Sequence, residues 1–107
     1  MTLQHIVLFS FPTALSPEEE TQMRDMVASW PRDIGLMERC RFGTDLTQER
    51  TRGYTYLLYT EFPDAKALAQ YQDHPVHLRF KDWLAKRDCT PLAFDYHLDQ
   101  RTVLMPE

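Results

Sequence analysis

The sequence has few of the features that mark nucleic-acid-binding, membrane or secreted proteins. Its 12 lysine and arginine residues are outnumbered by 16 aspartate and glutamate residues, and the net charge of −4 would repel a phosphate backbone. No apolar run approaches the ~20 residues of a membrane span, and the N-terminus lacks the basic and apolar stretches of a signal peptide. We therefore expect no nucleic-acid or membrane partner, and a cytoplasmic location.

Cysteine is also scarce, and no linker or low-complexity segment divides the chain. Cys40 and Cys89 have no metal-ligand spacing, and two cysteines cannot make a disulfide framework, so we predict free, buried thiols. The length of 107 residues, 43% of them apolar, suits one globular domain over residues 1–107 with a single core.

Strand and helix signals alternate along this domain. Apolar segments predict strands from Leu3 to Phe11, Leu36 to Phe42, Tyr54 to Phe62 and Thr90 to Leu98. A helix should begin after the capping box of Ser16 and Glu19, and Pro31 should end it. Its apolar stripe consists of Met23, Met26, Val27 and Trp30.

A second helical region follows the third strand and contains a proline. Pro63-Asp64 opens a short helix, which Pro75 breaks. We expect this helix to bury Ala65, Leu68 and either Tyr71 or Ala69. Another helix should restart at Pro75, with an apolar side made of Val76, Phe80, Trp83 and Leu84. The apolar tail from Arg101 to Met105 should pair or pack elsewhere.

The order β-α-β-β-α-β predicts an α+β fold of the ferredoxin-like type, an antiparallel four-stranded sheet with the helices on one face. The other face of such a sheet is usually polar. Here both faces are apolar, since Ile6 and Leu8 alternate with Val7 and Phe9 in the first strand. We therefore predict a homodimer whose sheets face each other, with Ile6, Leu8, Leu57 and Tyr59 in the interface.

Histidine and tyrosine form the most suggestive cluster. His74 and His77 flank Pro75 shortly after Tyr71, and His5 lies in the first strand, on the side of Leu3 and Val7 that should face the helices. Imidazole exchanges protons near neutral pH, so these residues could form an acid–base pocket. They could equally be structural, with Tyr71 filling the core, His74 capping a helix, and His5 hydrogen-bonded to His77.

Several motifs together resemble the stress-responsive A/B barrel (Dabb) domain family. They are the opening Gln4-His5-Ile6-Val7-Leu8-Phe9, the helix start Ser16-Pro17-Glu18-Glu19, Gly53-Tyr54-Thr55, Tyr71 with His74-Pro75-Val76-His77-Leu78-Arg79-Phe80, and Phe94-Asp95-Tyr96. The resemblance covers nearly the whole chain. It implies a dimeric α+β barrel of two ferredoxin-like subunits, many of them small stress-associated proteins.

One catalytic branch of that family, that of olivetolic acid cyclase, closes a linear poly-β-ketone by an intramolecular aldol condensation. The resemblance implies His77 as general base, Tyr71 as the hydroxyl that holds a carbonyl, and His5 as a supporting imidazole. The substrate-binding residues would be His74, Met23, Val27, Leu58, Thr60 and Leu68. Met23 and Val27, with Arg24 and Asp88, replace the aromatic lining of the cyclase, and the pocket would be smaller and more polar, so we expect a different substrate. This chemistry needs no cofactor and we expect none.

Other interpretations remain open. His74 and His77, with Asp73 and His5 nearby, could hold a metal, although the proline disturbs their spacing. The arginines Arg39, Arg41, Arg50 and Arg52 could form an anion site, but such clusters are usually solvated. Related ferredoxin-like barrels include cofactor-free monooxygenases and haem degraders. The function is then either small-molecule catalysis of the cyclase or isomerase type, or non-catalytic ligand binding or a structural role in a stress-associated dimer.

The first prediction concerns the two cysteines. In a reducing compartment, thiols that are not needed to close a loop stay unpaired. Thiol titration of freshly denatured, unreduced protein should therefore find two free thiols per chain. A value below two would show that Cys40 and Cys89 are paired or modified.

Overall fold

A computed structural model describes residues 2–105, and eight elements follow one another along them. The strands are β1 (Leu3–Phe9), β2 (Arg39–Thr44), β3 (Tyr56–Phe62) and β4 (Leu92–His97). The helices are α1 (Pro17–Ala28), α2 (Trp30–Asp33), α3 (Ala65–Asp73) and α4 (Pro75–Ala85). The predicted β-α-β-β-α-β order is confirmed, with each helical region divided in two.

The four strands form one antiparallel sheet in the order β2-β3-β1-β4, which is the ferredoxin-like arrangement. In the register of β1, His5 lies opposite Thr60 of β3 and Asp95 of β4. Partners in register share one face of a sheet, so these three side chains lie on the same side. That side is the one covered by the helices, since His5, Leu3, Val7 and Phe9 are all buried.

A single hydrophobic core fills the space between the sheet and the helices. Trp30, Tyr71, Phe80 and Met23 come from the helical side and are at most 1% exposed. Phe9, Phe62 and Leu58 come from the sheet and are equally buried. The opposite face of the sheet has no cover within the described chain, and Leu57, Leu92 and Phe94 are 38%, 52% and 66% exposed there.

Helix α1 begins as the sequence predicts, with the capping box of Ser16 and Glu19. Its end differs from the prediction, because α1 stops at Ala28 and Pro31 lies inside α2 rather than terminating a helix. Proline is tolerated there because residues in the first turn of a helix need no N–H partner within that helix. None of the described helices, over residues 2–105, is long and apolar enough to cross a membrane.

Three further expectations were wrong in detail. Strand β2 starts at Arg39 and not at Leu36, because Gly35 has a φ of +70° and turns the chain before it extends. In α3 the buried residues are Ala67, Leu68 and Tyr71, while Ala65 and Ala69 are exposed. The apolar tail does not pack against the rest of the described chain, as Leu104 and Met105 are 89% and 77% exposed.

The break between α3 and α4 occurs at His74, as the proline predicts. His74 is extended, with φ −66° and ψ 137°, because a residue before proline avoids the helical region. It serves as the N-cap of α4, and its Nδ1 accepts the Val76 N–H at 3.1 Å. Among the alternatives for His74, the helix-capping role is the one that this contact supports.

A cap of this kind is worth roughly 1 kcal/mol, so His74→Ala should lower the free energy of unfolding by about that amount. His74→Asn should retain most of the stability, because asparagine is among the best N-cap residues. Urea denaturation of the two variants beside the parent protein measures the difference. Equal stability of His74→Ala and the parent would show that the cap contributes nothing.

Candidate functional site

The helix break rearranges one backbone hydrogen bond. In an unbroken helix the Val76 N–H would donate to the Gln72 carbonyl, four residues earlier. Here the Val76 N–H donates to His74 instead, and the Gln72 carbonyl lies 3.2 Å from Nδ1 of His77. A carbonyl oxygen can only accept, so His77 Nδ1 carries the hydrogen of this bond. The two histidines of the His-Pro-x-His motif thus replace the missing partners of the helical bond that Pro75 prevents, His74 for its donor and His77 for its acceptor.

This arrangement fixes the chemical state of His77. With the proton of the neutral ring on Nδ1, the lone pair is on Nε2. Burial lowers the pKa of His77 below its ordinary value of about 6.5. The hydrogen bond to Gln72 opposes this shift, while the charges of Lys81, His5 and His74 add to it. His77 is therefore a neutral base near pH 7, with Nε2 as its basic atom.

Tyr71 lies between the two other candidate residues. Its ring centroid is 4.2 Å from that of His77 and 5.9 Å from that of His5. Burial is the main cause that raises the pKa of the Tyr71 phenol far above its usual range, and the charge of Cys40 adds to it. The phenol is thus a neutral donor, and its buried oxygen has no hydrogen-bond partner among the described residues.

His5 is held from the neighbouring edge strand. Its Nδ1 is hydrogen-bonded to the Asp95 carboxylate, which β4 places directly opposite in register. The carboxylate accepts the Nδ1 proton and so fixes both the ring and its tautomer, as in other carboxylate–imidazole pairs. No chemical role for Asp95 could be predicted from the sequence. Asp95 and His5 both lie in predicted strands, but one sequence does not show that these strands pair or in which register.

A cleft with a volume of about 360 Å³ adjoins these side chains. It lies between strands β1 and β4 and helices α3 and α4, in the size range of small-molecule pockets. The sheet contributes a mostly apolar floor, and the helices add a rim of polar groups. The lining residues are His5, Val7, Phe9, Leu58, Tyr71, Gln72, Asp73, His77, Phe80, Lys81, Leu84, Pro91 and Ala93.

The catalytic candidates His77, Tyr71 and His5 thus line one cleft, but most of the predicted binding residues do not. Of those, Leu58 alone lines it. The other apolar or buried candidates, Met23, Val27, Thr60 and Leu68, are core residues at most 8% exposed and do not line this cleft, so their role in binding stays a prediction. Thr60 instead donates its hydroxyl to the His5 carbonyl at 3.0 Å.

The remaining interpretations find little support in the geometry. His5 and His77 bond to Asp95 and Gln72 rather than to each other. Within residues 2–105, no three metal-ligating side chains come together. The arginines lie away from the cleft. Arg39 pairs with Glu61, Arg41 stacks over the Tyr59 ring, and Arg50 and Arg52 lie in the exposed loop before β3.

Comparison with known proteins agrees with this architecture. The sequence model of the Stress Responsive A/B Barrel Domain matches residues 3–98. The stress-response A/B barrel domain-containing protein HS1 of Arabidopsis thaliana is 30% identical over 79 residues, which are 73% of this chain and 72% of that protein.

Solved structures show the same fold at lower sequence identity. A dimeric ferredoxin-like protein of unknown function from Thermobifida fusca has a TM-score of 0.79 at 23% identity, over 92% of both chains. The hydroxynitrile lyase of Passiflora edulis has a TM-score of 0.80 at 19% identity, over 92% of this chain and 94% of that one. The fold thus occurs both in dimers of unknown function and in an enzyme. The family match over nearly the whole chain and the shared fold establish that this protein belongs to the stress-responsive A/B barrel domain family.

Proposed function

We propose that the protein binds a small carbonyl compound in the cleft and transfers a proton from the carbon next to the carbonyl, without a cofactor. In this mechanism His77 is the general base and Tyr71 is the hydrogen-bond donor to the carbonyl oxygen. His5, held by Asp95, supports the Tyr71 ring. Cyclases, isomerases and lyases that act on carbonyl compounds share this step.

The proton-transfer step follows from the two protonation states. Nε2 of neutral His77 takes a proton from a carbon flanked by two carbonyl groups, and the electrons of the C–H bond move to a carbonyl oxygen. The negative charge that develops on that oxygen is stabilised by the Tyr71 phenol, which burial keeps protonated. The enolate then attacks a second carbonyl of the same molecule, or regains a proton at another position from His77.

The proposal rests mainly on the unpartnered, buried Tyr71 hydroxyl, on a ring whose centroid is 4.2 Å from that of His77. A buried hydroxyl without a hydrogen bond costs roughly 1–3 kcal/mol, and a phenylalanine would fill the core without that cost. A ligand oxygen that reaches this hydroxyl removes the penalty. Tyr71 and His77 both line the cleft, so such a ligand would contact the base as well.

A non-catalytic, ligand-binding or structural role is the second candidate. It is favoured by one specific observation, the pair of hydrogen bonds by which His74 and His77 satisfy the helix break. On that account the histidines stabilise the α3–α4 junction and the cleft only binds a ligand. The two candidates predict different effects of removing the His77 ring.

The proposal predicts that the protein accelerates exchange of the acidic hydrogens of acetylacetone with deuterated water, above the uncatalysed rate. His77→Ala should lower the catalysed rate by about 100-fold or more, since general bases contribute 10²–10⁴-fold. Tyr71→Phe should lower it by a similar factor, since one donor to a developing oxyanion contributes about 10²–10³-fold. Proton NMR measures the exchange.

The matched control is His97→Ala, which removes an exposed histidine outside the cleft and should leave the rate unchanged. The rate should fall on acidification, because protonation of Nε2 removes the base. The midpoint should lie below pH 6.5, because burial lowers the pKa of His77. If the parent protein gives no exchange above background, and His77→Ala mainly lowers the melting temperature by about 4 °C or more, the histidines are structural.

The assembly proposed for the protein is a homodimer through the uncovered face of the sheet. Ile6, Leu8 and Tyr59 lie on this face beside the exposed Leu57, Leu92 and Phe94. An apolar surface of this kind usually marks an interface. Two copies would cover each other's sheets and bury on the order of 1,200 Å² or more in total.

Leu57→Lys should dissociate this dimer, because it places an unpaired ammonium in an apolar interface. Its monomer should stay folded, since Leu57 lies outside the core. Leu78→Lys is the matched control, because Leu78 is 46% exposed on α4 and lies on the helical side. Sedimentation at micromolar concentration should give a dimer for the parent and the control and a monomer for Leu57→Lys. A monomeric parent protein would refute the proposed assembly.

A further inference from the structure

The rim of the cleft contains one cation close to the base. Lys81 follows His77 by four residues on α4, and residues at this spacing lie on the same face of a helix. Its charge is one of the causes that lower the pKa of His77. No carboxylate among residues 2–105 forms an ion pair with Lys81, whereas Lys86 on the same helix pairs with Asp82 at 2.9 Å. Lys81 thus presents an unpaired positive charge to the cleft.

The rim of the cleft also contains a negative charge. Asp73 is the last residue of α3, precedes the break, and also lines the cleft. Lys81 lies beyond His77 in the other direction, by about 6 Å along the axis of α4 at 1.5 Å per residue. The lining of the cleft therefore contains one acidic residue before His77 along the chain and one basic residue after it. Such a cleft orients a ligand that has a charge at one end.

We propose that the compound bound in the cleft is a carboxylate-bearing carbonyl compound, such as a β-keto acid, and that Lys81 binds its carboxylate. The inference rests on the proposed proton transfer and names its class of substrate. With the reacting carbon at His77 Nε2, the flexible Lys81 side chain can reach a carboxylate within a few bonds of that carbon. The reverse orientation would place the carboxylate near Asp73, where the like charges repel.

The proposal can be tested with two probes that share a carbon skeleton, acetoacetate and its neutral methyl ester. NMR titration should show that the parent protein binds acetoacetate more tightly than methyl acetoacetate. Lys81→Gln should weaken acetoacetate binding by on the order of tenfold, as expected for one charge-assisted hydrogen bond. Its affinity for the ester should stay within about twofold. Lys81→Arg retains the charge and should restore acetoacetate binding.

Two control variants separate a local contact from a general effect of charge. Lys66→Gln removes an exposed lysine of α3 outside the cleft and should leave both affinities unchanged. Asp73→Asn should strengthen acetoacetate binding, because it removes the repulsion. Equal affinity of the parent for the two probes would overturn the inference, as would equal losses in Lys66→Gln and Lys81→Gln.

Failure of this inference can be distinguished from failure of the proposed function by hydrogen exchange on the methyl ester. Catalysed exchange of the ester, without any Lys81-dependent preference for acetoacetate, would overturn the carboxylate inference and retain the proton transfer. A Lys81-dependent preference without exchange of either probe would support the carboxylate site and overturn the proton transfer.

Discussion

The rest of the site depends on the helical hydrogen bond between Val76 and Gln72 that Pro75 prevents. Proline holds His74 in an extended conformation, so the Val76 N–H does not donate to the Gln72 carbonyl. His74 accepts the Val76 N–H, and His77 donates its Nδ1 hydrogen to the Gln72 carbonyl. The bond to Gln72 determines which nitrogen of His77 has the lone pair, and burial keeps that nitrogen unprotonated near neutral pH. The contacts that satisfy the backbone at the helix break therefore include the one that sets the tautomer of His77.

The sheet positions His5, the third candidate residue of the site. Antiparallel pairing places Asp95 and Thr60 on either side of His5, where one holds its ring and the other its backbone carbonyl. The ring of His5 then contacts Tyr71, which in turn contacts His77. The three candidate side chains are thus positioned by two independent parts of the fold. This packing leaves the buried Tyr71 hydroxyl without a partner in the described chain, and Tyr71 lines a cleft large enough for a small ligand.

The sequence predicted the fold well, because its elements depend on local patterns. The capping box at Ser16, the break at Pro75 and the apolar run of β1 each have a local physical cause. The parts of the site that the sequence could not predict depend on long-range packing. Whether Met23 lines a cleft or fills the core depends on how helices lie on the sheet, and the pairing of Asp95 with His5 depends on strand register. Lys81 could have been noticed from its spacing to His77, but only the structure places it at the rim.

The proposed chemistry requires that His77 is a neutral base at neutral pH, with its proton on Nδ1 and its lone pair on Nε2. Nitrogen-15 NMR of the histidine side chains across a pH titration tests it most directly, because the two ring nitrogens of each tautomer have different chemical shifts. We expect His77 to be the Nδ1–H tautomer at pH 7 and to titrate below pH 6.5. A protonated His77 at pH 7, or a neutral ring with its proton on Nε2, would contradict it.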